Sequence, residues 1–472
     1  MNKRRSIFLS AISGNILEYY DFTVYAVFAL AIGKTFFPGD SEIVQVLATL
    51  AVFAVGFVTR PIGGIIFGYI ADKHGRRVSL IVSMLGMTIP TFTMGLIPAY
   101  SEIGYLAPAA LVFMRLLQGL CISGEGAGAA IFILEHYQNL RPGFTAGIVH
   151  ASNIAGTLLA TIVGIILAHF FPSLEFAWRF AFILGGVMGL VGFYFRLRVS
   201  ETPIFEMLAE KKKTLKSPFF HVLKTAKSSM FITVCLGASA SSVVYLIKTY
   251  ITIYYCNILH FDDTIARSYL AYSSIVMMCA MPLSGHISDK IGRFNMISLS
   301  SAAVVILALP CFMLLSCENA IEQLIALTVL AILGGMLAGT AYIFVISLFS
   351  PDQRFSGVAF SYNLGIALCG GTSAGISRWL VEITGVYYSP AFYIMLTSSI
   401  FLIVIYIMRD TVKQLLEANL SHNKSLSKLA TAGQVQGAYV AQNRNVHNAR
   451  ENSSTEATAA AIARKSRASK EV

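Results

Sequence analysis

Charge is scarce in this chain. Asp, Glu, Lys and Arg make up 12% of its 472 residues, about half the ~25% usual in soluble domains. Tryptophan is nearly absent, with two residues. The seven cysteines (Cys121, Cys235, Cys256, Cys279, Cys311, Cys317 and Cys369) show no metal-ligand spacing, and nearly all lie within apolar runs. That excludes a disulfide framework or a zinc site as the organising principle and leaves packing thiols. Nucleophile elbows, phosphate-binding loops and metal motifs are missing too, which argues against an enzyme and calls for no cofactor and no metal.

What the chain has instead is apolar sequence. Hydrophobic residues reach 56%, more than a soluble core could hide. They come in runs of ~20 or more, long enough to cross a hydrocarbon layer ~30 Å thick. The expected fold class is an all-α membrane protein, with the lipid bilayer as its surroundings. Lys3, Arg4 and Arg5 precede an apolar stretch, as in a signal peptide. Glu18 and Asp21 interrupt that stretch and no small-residue cleavage site follows, so it reads as a retained first span.

Twelve spans are expected, at 7–35, 43–71, 78–99, 105–135, 142–171, 177–196, 229–258, 264–288, 295–316, 321–349, 354–383 and 388–409. The turns after odd-numbered spans carry Asp40, Glu42, Glu102, Glu175, Asp262, Asp263, Glu318 and Glu322. The alternate turns carry Lys73, Arg76, Arg77, Arg141, Lys290, Arg293 and Arg354, and the segment 197–228 adds seven basic residues. Positive residues mark the cytoplasmic side, which places both termini and that segment there. The net charge of +11 thus has a topological cause and no nucleic-acid partner is implied. Four parts are expected: a six-helix bundle over 1–196, a linker over 197–228, a second bundle over 229–409, and a tail over 410–472. The tail is rich in Ala, Ser, Asn, Gln and Lys, with one or two amphipathic turns at Val412, Leu415, Leu416 and Leu420. Disorder is the expectation beyond them.

Two stretches are near-copies. Gly68-Tyr-Ile-Ala-Asp72-Lys73-His74-Gly75-Arg76-Arg77 is echoed by Gly285-His-Ile-Ser-Asp289-Lys290-Ile-Gly292-Arg293-Phe294, 217 residues later. Each follows the second span of its half. A duplicated loop within duplicated helices is the mark of a repeat-built transporter.

Twelve spans, a central linker and this repeated loop resemble the major facilitator superfamily. Further segments are similar to its metabolite:proton symporter family, which includes proline/betaine, 2-oxoglutarate, citrate and shikimate carriers. They are Gly14-Asn15-Ile-Leu-Glu18-Tyr19-Tyr20-Asp21-Phe22, Arg60-Pro61-Ile-Gly63-Gly64, Arg115-Leu-Leu-Gln118-Gly119 with Gly124-Glu125, Trp178-Arg179-Phe180 and Glu201-Thr202-Pro203-Ile-Phe205. Phe36-Phe37-Pro38-Gly39 and Gly95-Leu96-Ile97-Pro98-Ala-Tyr100 look most like the proline/betaine carriers. The resemblance implies a proton-coupled importer of a small organic solute in a bacterial inner membrane. It also implies a cytoplasmic latch built from Gly68, Asp72, Gly75, Arg76, Gly285, Asp289, Gly292 and Arg293. Phe294 departs from the pattern where the first copy has Arg77. Osmosensing relatives carry a heptad-rich tail, which this tail lacks, so a solute sensor is the weaker alternative. Oligomeric state is left open, a monomer included.

Ionisable groups inside a membrane are expensive and mark function by default. Glu18 and Asp21 lie one helical turn apart on one face. Glu18 is about eleven residues into its span, or ~16 Å, near the bilayer midplane. Carboxyls there suit a proton relay; the alternative is a permanent ion pair with Arg60 or Arg115. Arg115, Gln118, Ile122 and Glu125 follow one helical face. The planar Arg115 fork suits a carboxylate, either the solute's or the protein's. Arg60 and Glu125 are expected in structural ion pairs. Lys248 lies amid Tyr245, Tyr250, Tyr254 and Tyr255, and Tyr19 and Tyr20 lie on the repeat-related first span. Tyrosine faces could hold an ammonium by cation–π attraction while Lys248 or Arg115 holds a carboxylate. That would suit a zwitterion such as proline or a betaine, although any single tyrosine is read first as packing or marking the interface. Three cations also leave a di- or tricarboxylate open.

Overall fold

The computed structural model describes residues 3–37, 42–137, 141–171, 176–210, 215 and 217–419. Among these residues the only regular structure is helical. Ten helices are long and apolar enough to cross a membrane, and a bent pair, Ile7–Val27 with Ala29–Phe36, makes an eleventh. Arg354–Gly365 and Ser373–Thr384, joined by the π-turn Ile366–Gly370, complete a twelfth. The tail beyond residue 419 lies outside the described residues.

Five spans are broken, and each break falls near polar or small residues. The first bends by 63° between Val27 and Ala29. The second divides at Thr59 into Glu42–Val58 and Arg60–His74, with Pro61 at the start of the second piece. Proline fits there because the first turn needs no backbone donor from it. The fourth runs Leu106–Cys121, tightens to a 3₁₀ turn over Ile122–Gly124, and resumes as Gly126–His136. The seventh widens to a π-turn over Leu246–Tyr250 between Lys227–Tyr245 and Ile251–Asn257. Such π-bulges are frequently found at functional sites. The eleventh, Arg354–Gly365 with Ser373–Thr384, carries its own π-turn over Ile366–Gly370.

The near-copied loops end their helices in the same way. Gly75 and Gly292 have φ of 119° and 94°, a region that L side chains rarely enter. Each glycine separates two spans: Arg60–His74 from Arg76–Leu96, and Asp263–Ile291 from Arg293–Leu315.

Span 1 packs on span 5, Pro142–Phe170, and span 6, Ala177–Leu197, while span 3 packs on span 6. Among the last six, span 7 packs on spans 11 and 12, and span 10, Ala320–Ser347, packs on spans 8 and 9. Close crossings join these groups. Gly64 and Gly68 of span 2 face Ala359 and Ser356 of span 11, and Gly143 and Gly147 of span 5 face Gly285 and Met281 of span 8. Small residues let helix backbones approach this closely where lipid supplies no hydrophobic drive. Gly156 and Gly164 of span 5 likewise face Ile16, Tyr19 and Val27 of span 1.

The 197–228 segment holds two short helices, Pro203–Glu210 and Pro218–Thr225, which bury Ile204, Phe205, Leu208 and Val222. After span 12, Pro390–Ile407, residues 409–419 are also helical. Val412 is fully buried, and Leu415 and Leu416 pack on the core. The expected one or two amphipathic turns are therefore a docked helix, closed by Asn419 donating to Ser347 O at 3.1 Å.

Candidate functional site

Two polar clusters occupy the middle of the bundle, and the ring of Phe22 stands between them. In the first, Arg115 Nη1 donates to Gln118 Oε1 at 2.7 Å, and Gln118 Nε2 donates to Thr91 Oγ1 at 2.7 Å. Thr91 adjoins the Asp21 carboxyl. The Arg115 guanidinium lies 3.8 Å from the Tyr25 ring centroid, 5.1 Å from Phe22 and 5.2 Å from Phe53. Arg115 and Gln118 are fully buried, and Arg115 keeps Nε and Nη2 without a partner.

The second cluster collects around the π-turn of span 7. Lys248 Nζ lies 5.3 Å from the Tyr19 ring and 5.6 Å from the Tyr245 ring. Arg60 Nη1 donates to Tyr245 Oη at 3.4 Å. The Arg60 guanidinium sits 4.3 Å from the Phe57 ring and 4.7 Å from Phe22. Tyr342 of span 10 adjoins Tyr19 and stacks on His150 with centroids 4.2 Å apart. Asn153 Nδ2 donates to Tyr342 Oη at 3.4 Å.

Charge is unpaired throughout this region. Among the described residues, Arg60, Arg115 and Lys248 have no carboxylate within ion-pair distance, and Glu18 and Asp21 have no cation. Glu18 is 5% exposed and Asp21 2%, and Glu18 Oε1 and Asp21 Oδ1 lack hydrogen-bond partners. The expected structural ion pair at Arg60 is thus corrected: aromatic faces and one tyrosine hydroxyl surround its guanidinium. The alternative pairing of Glu18 or Asp21 with Arg60 or Arg115 is absent for the same reason.

Glu125 pairs with Arg196 of span 6, with Nη1 to Oε2 at 2.6 Å and a second contact from Nη2 to Oε1. The single face expected for Arg115, Gln118, Ile122 and Glu125 is not continuous. The 3₁₀ turn at Ile122–Gly124 changes the phase, so Arg115 and Gln118 stay together while Glu125 joins another cluster. Arg196 was legible only as the end of an apolar run. Tyr20 also departs from the expected solute site: it is fully buried and donates to Ala181 O at 2.8 Å, towards span 6. Thr91 and Tyr342, which single-helix patterns did not mark, join the clusters through neighbouring spans.

The near-copied loops meet helix N-termini. Asp72 Oδ2 accepts from Ser356 N at 2.8 Å, at the start of span 11. Asp289 accepts from Gly143 N at 2.7 Å and Phe144 N at 3.1 Å, at the start of span 5. A carboxylate there satisfies free N–H groups and complements the helix dipole. The first copy is the richer in charge. Arg76 lies 3.4 Å from Asp72 and 3.3 Å from Glu135, and Arg354 lies 3.5 Å from Glu135. In the second copy Arg293 donates to the Ser347 hydroxyl. Glu201 adds a third cap: its carboxyl accepts from the backbone N–H groups of Arg76 and Arg77 at 3.0–3.2 Å. Burial raises the Glu201 carboxyl above the usual glutamate range, against the lowering effect of these hydrogen bonds.

The sequence profile of the Major Facilitator Superfamily matches residues 11–374. A glycine betaine/proline/ectoine/pipecolic acid transporter of Dickeya dadantii (strain 3937) is 32% identical, over 87% of this chain and 84% of its own. A proline/betaine transporter of Escherichia coli (strain K12) is 32% identical, over 87% of this chain and 85% of its own. Among solved structures, the proton:xylose symporter XylE bound to 6-bromo-6-deoxy-D-glucose superposes with a TM-score of 0.69 at 17% identity, covering 87% of this chain and 96% of that one. That likeness shows the shared fold. The chain is a multi-pass membrane protein and belongs to the major facilitator superfamily.

Proposed function

We propose that this protein imports a small zwitterion, with proline and glycine betaine as leading solutes, by proton symport and alternating access. One observation carries the reading: three cations and two carboxyls share the middle of the bundle, and none is paired with another. A fixed structural network would neutralise them against each other. Unpaired cations leave a place for the solute's carboxylate, and unpaired carboxyls leave a place for a proton. The curated relatives named as betaine and proline transporters support the same solute class.

The roles follow from position. Glu18 and Asp21 load and release the proton. Lys248 meets the solute carboxylate, and Tyr19 and Tyr245 offer ring faces to its ammonium. Arg115 and Gln118 form a buried relay beside Asp21, one step behind the solute. The two bundles, 1–196 and 229–409, rock about the solute. Their basic ends face the cytoplasm and are clasped by the Asp72 and Asp289 loops.

Uptake of radiolabelled proline, glycine betaine and 2-oxoglutarate into proteoliposomes, side by side, tests the solute class. Uptake of either zwitterion supports the reading. Uptake of 2-oxoglutarate alone replaces it with a carboxylate carrier using paired cations.

A further inference from the structure

Arg60 is a deeply buried cation with nothing anionic to hold among the described residues. It is 1% exposed, its Nε and Nη2 have no partner, and its single hydrogen bond among the described residues goes to Tyr245 Oη. Burying a guanidinium without a counter-charge is costly. The rings of Phe22 and Phe57 offset part of that cost by cation–π contact. Among the described residues one acceptor, the Tyr245 hydroxyl, lies within hydrogen-bond reach.

That hydroxyl has a spare hydrogen. Tyr245 accepts from Arg60 and donates to no acceptor among the described residues. A phenol that accepts from a cation is polarised into a stronger donor. Three residues further along the same span, Lys248 is half-buried and has no acceptor among the described residues. Its ammonium lies 5.6 Å from the Tyr245 ring, and Arg60 and Lys248 are close enough to repel. The π-turn over Leu246–Tyr250 brings Lys248 to this position beside Tyr19.

We infer that Arg60, Tyr245 and Lys248 form one carboxylate subsite, in which Lys248 and the Tyr245 O–H contact the ligand and Arg60 acts through Tyr245 as a positioning residue. The subsite takes one carboxylate group of a small molecule. A single carboxylate relieves the repulsion between the two cations and accepts the free tyrosine hydrogen. This inference deepens the transport reading and rests on it for the identity of the ligand alone.

The test is equilibrium binding of radiolabelled glycine betaine, proline, 2-oxoglutarate and choline to the purified full-length protein. Choline has a hydroxymethyl group where glycine betaine has its carboxylate. The variants are Tyr245→Phe, Arg60→Gln, Arg60→Lys and the Arg60→Gln/Tyr245→Phe pair. Losing a charge-supported hydrogen bond predicts about ten-fold weaker binding of carboxylate ligands to each single variant. Because Arg60 acts through Tyr245, the double variant is expected to lose no more than Tyr245→Phe alone. Arg60→Lys is expected to recover part of the loss. Choline affinity is expected not to fall in any of these variants.

Several outcomes separate the subsite from the transport reading. Zwitterion binding that no variant weakens overturns the subsite and leaves the reading standing. Losses that multiply in the double variant, or that are equal for choline, also overturn it and make Arg60 a packing residue. Binding of 2-oxoglutarate alone, weakened in the expected pattern, supports the subsite and overturns the zwitterion reading. No binding of any carboxylate to the unaltered protein overturns both.

Discussion

The carboxylate of Asp72 accepts the backbone N–H of Ser356 across 284 residues of sequence, at 2.8 Å. Its repeat-related counterpart, Asp289, does the same for Gly143 at 2.7 Å. Each near-copied loop therefore closes on the first turn of a helix from the other set of six spans. Asp72→Asn and Asp289→Asn keep an acceptor but lose the charge. Each loss is expected to cost about 0.5–2 kcal/mol, the range of a helix N-terminal cap. Asp72 should lie at the higher end because Arg76 also adjoins it. Thermal melts of the two variants in detergent check the order.

The crossing of spans 5 and 8 has no room for a side chain. A Cβ on Gly285 would collide with the Gly143 carbonyl, and one on Gly143 with the Gly285 carbonyl. Gly285→Ala should therefore destabilise by about 1–3 kcal/mol, the usual cost of overpacking. Gly375→Ala is the control, since nothing lies within 4 Å of its added Cβ. Equal melting temperatures for the two would contradict the close crossing.

Glu125 and Arg196 are buried and joined by two contacts. Removing one partner leaves the other charged and unpaired, at about 3–5 kcal/mol. Glu125→Gln or Arg196→Met alone should thus lower stability more than the double variant does. A double-mutant cycle on melting temperature reads the difference directly, and additive losses would mean that the pair is not coupled.

Glu201 predicts a pH dependence. Its folded carboxyl holds a proton more tightly than an ordinary glutamate because burial outweighs its hydrogen bonds. The folded state then binds more protons than the unfolded one, so this group's contribution to stability falls as pH rises. It is fully present below the ordinary glutamate range and declines through the raised one. The melting temperature of the unaltered protein minus that of Glu201→Gln is expected to fall with rising pH above about 4. A difference that grows instead would mean that the N–H groups of Arg76 and Arg77 dominate.

The helix ends were legible in the sequence because apolar runs and charged turns alternate. Asp263–Ile291 and Arg293–Leu315 fall within a few residues of the expected spans. The breaks inside spans were not. A 3₁₀ turn at Ile122 or a π-turn at Leu246 changes phase without changing composition, so Glu125 was placed on the Arg115 face. Arg60 was expected in an ion pair because its sequence gives its cost but not its neighbours. Those neighbours, Phe22, Phe57 and Tyr245, come from three spans. Tyr20 and Tyr19 are adjacent in sequence, yet one bonds Ala181 O and the other faces Lys248.

The account turns on proton-driven accumulation through Glu18 and Asp21. The most direct measurement is uptake of glycine betaine and proline into proteoliposomes under an imposed inward proton gradient, with and without a protonophore. Glu18→Gln and Asp21→Asn are measured alongside, each also in solute exchange without a gradient. The account predicts protonophore-sensitive accumulation by the unaltered protein. It also predicts that at least one variant loses accumulation while retaining exchange. Accumulation against a gradient by both variants would contradict it.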